Sequence, residues 1–105
     1  MVFEAITISD FAIRKGDRFM LSAPGRASEE AELISVDTLG FNVKPDGSRA
    51  GRESFSLVFR VNKTWSLPQQ TFGISHPILG TGEMFLVPIG PDAEGMRLEA
   101  IFNFV

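Results

Sequence analysis

Ser54-Phe55-Ser56-Leu57-Val58-Phe59-Arg60-Val61 is the stretch on which the fold turns. Phe55, Leu57, Phe59 and Val61 share one parity, and Ser54, Ser56, Val58 and Arg60 share the other. A helix turns about 200° over two residues and would scatter the apolar set around its axis, whereas a strand lines it up on one face. The octet therefore reads as a β-strand with a buried face.

The same period of two recurs on both sides of it. Toward the N-terminus, Arg18 to Ala23 sets Phe19 and Leu21 against Arg18, Met20 and Ser22, and Glu30 to Thr38 follows a Pro24-Gly25 turn. Toward the C-terminus, Gln70 to Ser75 carries Phe72 and Ile74 on one side and is closed by Pro77. Glu83 to Ile89 groups Phe85, Val87 and Ile89 on one face. Met96 to Phe104 points Met96, Leu98, Ala100, Phe102 and Phe104 inward against Arg97, Glu99 and Asn103. Ile101 lies opposite Phe102 and Phe104, so this last strand is apolar on both faces near its end. Either it is central in its sheet, which is the favoured reading, or its outer face meets a partner.

Helical spacing survives only in Ile8 to Lys15, as a short turn capped by Ser9, carrying Phe11 and Ile13, and ended by Gly16. The longest irregular segment, Leu39 to Glu53, contains the turn signal Pro45-Asp46-Gly47. Short strands without crossover helices pair antiparallel. The expected fold is all-β: a single small antiparallel barrel, roll or sandwich of about six strands, with one short N-terminal helical turn, spanning 1–105 as one domain. Strand order is not fixed by these patterns.

Composition narrows the function. A chain of 105 residues buries roughly 65% of its unfolded surface, enough to hold together without disulfides or metal. Ten Phe and one Trp with no Tyr indicate aromatics used as core filling, since Phe needs no hydrogen-bond partner and Tyr is favoured at wet binding surfaces. Ten basic against thirteen acidic residues, a net charge of −3, leave no basic stripe for nucleic acid and no polybasic segment for a membrane surface. The absence of Cys excludes thiol catalysis and thiolate metal sites. Met1 to Ile6 lacks the basic and apolar regions of a signal peptide, and no apolar run nears the ~20 residues of a membrane span. A cytoplasmic location is expected, with signal-independent export or assembly into a particle left open.

No constellation points to catalysis. His76 is the sole histidine; in Ser75-His76-Pro77 it reads as a turn residue bonded to backbone, with no catalytic group in reach. Zinc or iron sites would need several His or Cys ligands. Glu29, Glu30 and Glu32 read as the solvated side of a strand, and Asp92-Ala93-Glu94-Gly95 as a turn too short for a calcium loop. Gly80-Thr81-Gly82 lacks the Lys-Ser/Thr of a phosphate loop and reads as a tight turn. Catalytic, cofactor-binding and metal residues are therefore all expected to be none, and the chain is not expected to be an enzyme. Three residues stand out as partner or ligand contacts. Arg49 and Arg52, near Lys44, form the one local basic cluster, suited to clamping a phosphate or carboxylate. Trp65 either covers a barrel end or projects as an interface anchor.

The ordered series Phe55-Ser56-Leu57-Val58-Phe59-Arg60, Leu67-Pro68-Gln69-Gln70-Thr71-Phe72, His76-Pro77 with Leu79-Gly80, Phe85-Leu86-Val87-Pro88-Ile89-Gly90-Pro91-Asp92 and Met96-Arg97-Leu98-Glu99-Ala100-Ile101-Phe102-Asn103 resembles a family of small, uncharacterised bacterial domains. The first half matches more loosely, through Phe11, Gly16 and Phe19. The family usually has Tyr where this chain has Phe72 and Leu98. It carries no assigned activity, so the resemblance transfers no site residues. It implies an association with phage-tail-collar-type and fibre proteins, and hence a structural or adaptor role in a bacterial multi-protein assembly. The expected partner is a protein, met through an unclosed sheet edge or through a face holding Trp65 and the long loop, with homo-oligomer formation left open. The alternative is a small-ligand or carbohydrate-binding β domain using the Arg49/Arg52 loop or a barrel mouth.

Overall fold

The structure, a computed structural model, describes residues 7–66 and 68–104. It contains α1 (Ile8–Ala12) and six strands: β1 (Arg18–Ser22), β2 (Glu29–Gly40), β3 (Ser54–Val61), β4 (Gln70–His76), β5 (Gly80–Pro91) and β6 (Met96–Phe102). All pairings are antiparallel, and the strands close into a barrel in the order β1-β2-β3-β6-β5-β4. Among the architectures left open by the sequence, the chain adopts the barrel. Among the described residues, no helix is long and apolar enough to cross a membrane.

Closure follows from the period-two pattern, because every strand contributes one apolar parity to the interior. From β1 to β3 these are Phe19 and Leu21, then Ala31 and Leu33, then Phe55, Leu57, Phe59 and Val61. From β4 to β6 they are Phe72 and Ile74, then Met84 and Leu86, then Leu98 and Ala100. Phe19 meets Phe59 edge-on with ring centroids 5.3 Å apart. Phe11 of α1 plugs one end, with centroids 5.8 Å from Phe55 and 6.2 Å from Phe102. Trp65 lies over Phe72 at 5.4 Å.

Four expectations are corrected. The free sheet edge does not exist as a whole strand, because β6 inserts between β3 and β5 and the circuit closes. In β5 the interior parity is Met84 and Leu86, while Phe85 and Ile89 face outward; both parities are apolar, so alternation alone could not choose. The cap of α1 is Thr7, not Ser9, because the Asp10 carboxylate accepts from the Thr7 N–H at 2.8 Å and sits in the first turn. Gly80-Thr81-Gly82 is not the turn: the reversal is at 77–79, and these three residues begin β5.

Candidate functional site

The outer wall is not uniform, and the cause lies in the β5–β6 ladder. Val87, Pro88, Gly90 and Pro91 pair with Glu99, Leu98, Arg97 and Met96, across a register shift between Pro88 and Gly90. Pro88 and Pro91 bring no N–H to this ladder, and Gly90 takes a φ of +107° that side chains disfavour. Beyond Glu99 the strands part company. Ala100, Ile101 and Phe102 still pair with β3, and Gly80 to Leu86 still pair with β4, but no bridge joins the two runs to each other.

A groove of about 440 Å³ opens over this unlatched half of the seam. Buried Met84 and Ala100 lie at its floor; Phe85, Val87, Ile101 and Phe102 form its walls. Phe85 is 52% and Ile101 61% exposed. Glu83 and Glu99 complete the lining, so the groove is apolar and edged with carboxylates. The singled-out residues did not include these. The signal was present for Ile101, whose strand is apolar on both faces; Phe85 was hidden by being counted as core.

The loop after β2 is a second distinct feature of the surface. Asn42 to Ala50 fold back as a small hairpin, with Ala50 N–H bonded to Asn42 O at 2.8 Å, Lys44 N–H to Ser48 O at 2.7 Å and a bridge from Val43 to Arg49. Its turn is set by Asp46, whose carboxylate accepts from the Ser48 N–H and hydroxyl at 2.9 and 2.6 Å. Its base is tied down by Asn42 Nδ2, which donates to Asn103 Oδ1 at 2.7 Å, and by Ser54 Oγ, which accepts from the Phe104 N–H at 2.9 Å. Phe41 and Val43 stay exposed here, as does Leu39 near the end of β2.

Arg49 and Arg52 each lie against an aromatic ring. The Arg49 guanidinium lies over the Phe41 ring at 4.5 Å, and that of Arg52 over Phe104 at 3.9 Å, so each is drawn to a different ring. Trp65 is half-buried against the core and borders a recess of about 170 Å³ with Ser22, Arg26, Glu29 and Thr64. Among the described residues, its buried indole N–H has no acceptor.

His76 is buried, and its Nδ1 accepts from the Ile78 and Leu79 N–H groups at 3.1 and 3.3 Å. That backbone contact was expected; the Asp17 carboxylate 2.8 Å from Nε2 was not. With Nδ1 occupied as an acceptor, Nε2 carries the proton and donates to Asp17. The pair fastens the segment before β1 to the β4–β5 hairpin. Among the described residues no three His, Asp or Glu side chains gather as a metal-binding set.

Residues 6–102 match the family described as Domain of unknown function (DUF6916), and the chain belongs to it. Neither the curated proteins nor the solved structures contain a match.

Proposed function

We propose that the chain is a non-enzymatic protein-interaction module that meets its partner through the β5–β6 groove. The observation that carries this reading is the pair Phe85 and Ile101, more than half exposed on the wall of a barrel whose interior is already filled. Large apolar side chains gathered in a concave patch lose water contact only when something docks there. The unlatched seam adds a second attraction, since strand segments without a ladder neighbour favour an extended chain alongside them. A structural or adaptor role in a bacterial assembly, of phage-tail or fibre type, is the setting this reading suits. The small-ligand alternative, through the Arg49/Arg52 loop or a barrel mouth, has less support, because the two guanidinium groups lie over different aromatic rings.

The test is a photo-crosslinking residue placed at Phe85 or at Ile101, with exposed Lys63 as control, in cells of the source organism. Adducts of defined mass are expected from both groove positions and not from Lys63. If neither groove position yields an adduct, the groove is not a docking surface.

A further inference from the structure

We infer that the occupant of the groove is the hairpin arm of a second copy of this chain, an inference that rests on the interaction reading above. The exposed large apolar side chains fall mainly into two groups. Leu39 near the end of β2, with Phe41 and Val43 leading into and along the hairpin, form one; Phe85, Ile89 and Ile101 on the β5–β6 wall form the other. The two described Phe residues that are exposed, Phe41 and Phe85, are divided between these groups. Both groups are apolar, and the second lines a groove that can receive side chains from the first.

Charge points the same way. The groove is edged by Glu83 and Glu99. The arm carries Lys44 beside Val43, and Arg49 bridged to Val43 and stacked on Phe41. The acids on the arm are turned to local partners, Asp46 to Ser48 and Glu53 to Thr38. Arg49 thus arrives next to the ring that fills the groove, within reach of a carboxylate. Opposite charges beside an apolar contact fix its register and orientation. A patch that recognises a different patch on the same chain gives a head-to-tail contact, or a reciprocal exchange if a two-fold axis closes it.

The experiment uses the full chain and light scattering coupled to size exclusion over a concentration series. The wild type is expected to rise above the monomer mass of 11.5 kDa as concentration increases. An arm variant (Phe41→Ser with Val43→Ser) and a groove variant (Phe85→Ser with Ile101→Ser) are each expected to stay monomeric with an unchanged melting temperature. Mixed together, they retain one intact arm and one intact groove and are expected to form a species of two chains. Glu99→Arg and Arg49→Glu are each expected to weaken association, and the double reversal to restore it, which only direct apposition across the contact would produce. A wild type that remains monomeric throughout overturns the inference, as does an arm variant that associates normally. If the crosslinker at Ile101 then captures a different protein, the groove reading survives and self-association alone falls.

Discussion

Phe59 is fully buried at the centre of β3, with Phe19 against its ring edge. Truncating it removes the largest kind of side chain this core holds and leaves a cavity that flanking strands cannot close, because their positions are fixed by ladders on both sides. Phe59→Ala is expected to cost about 3–5 kcal/mol, whereas Phe85→Ala on the outer wall should change stability by no more than about 0.5 kcal/mol. Urea denaturation of the two variants measures the contrast, and equal costs would refute the assigned faces. Gly95 makes the complementary case: a Cβ there would meet the Val61 carbonyl oxygen, so Gly95→Ala must displace backbone. Residue identity revealed the aromatic core but not its exceptions. Phe is as apolar on an outer wall as inside, and only the parity of its neighbours tells the two apart. In β5 both parities are apolar, which is why Phe85 was misplaced.

At the scale of elements, the β5–β6 turn is held by Arg60, which reaches across from β3. Its Nε and Nη2 donate to Asp92 at 2.9 and 2.6 Å, while Asp92 Oδ1 accepts from the Glu94 and Gly95 N–H groups at 2.9 Å each. The Arg60 hydrogen bonds first, and the turn N–H groups after them, hold the Asp92 carboxyl down to about 2 from its ordinary 3.8. A lowered carboxylate contributes stability that is fully present above its unfolded value and is lost as pH falls through the folded one. The stability gap between wild type and Asp92→Asn is therefore expected to be constant above about pH 4 and to close toward pH 2; partial exposure keeps it modest. Chemical denaturation at several pH values would expose a pH-independent gap, which would contradict this. Residues Phe102 to Val105 supply a second element-scale prediction, although Val105 lies outside the described residues. Phe102 stacks on Phe55 at 4.8 Å, and Asn103 and Phe104 join the Asn42–Ser54 clasp. Deleting the four residues should abolish the β signature in far-UV circular dichroism, and a deletion variant that stays folded would remove this segment from the core. The period of two made the strands legible. Their order was not: apolar residues on both faces of Met96 to Phe104 pointed to a strand paired on both sides, as β6 is, but not to β3 and β5 as its neighbours.

At the scale of the whole molecule, the barrel has one interior, and buried side chains from all six strands and α1 meet in it. The ladder runs from strand to strand without interruption of the circuit, so no strand can leave without exposing the apolar parity of two neighbours. A body built this way should unfold as one cooperative unit. The sole Trp offers a local probe of that claim, since Trp65 belongs to the β3–β4 connection and rests on Phe72 at the rim rather than at the centre. If the chain is a single domain, Trp fluorescence and far-UV circular dichroism should give superimposable urea transitions with the same midpoint and slope. Two midpoints would mean that the connection opens before the barrel does, and with it the recess that Trp65 borders. The same reasoning explains why the groove was beyond the sequence. It depends on where the β5–β6 ladder stops, and that is decided by Pro88, the shift to Gly90 and the curvature of a closed sheet acting together. The arm was legible as a turn through Pro45-Asp46-Gly47, but its exposure of Phe41 and Val43 follows from the clasp at its base, where Asn42 meets residues sixty positions further along the chain.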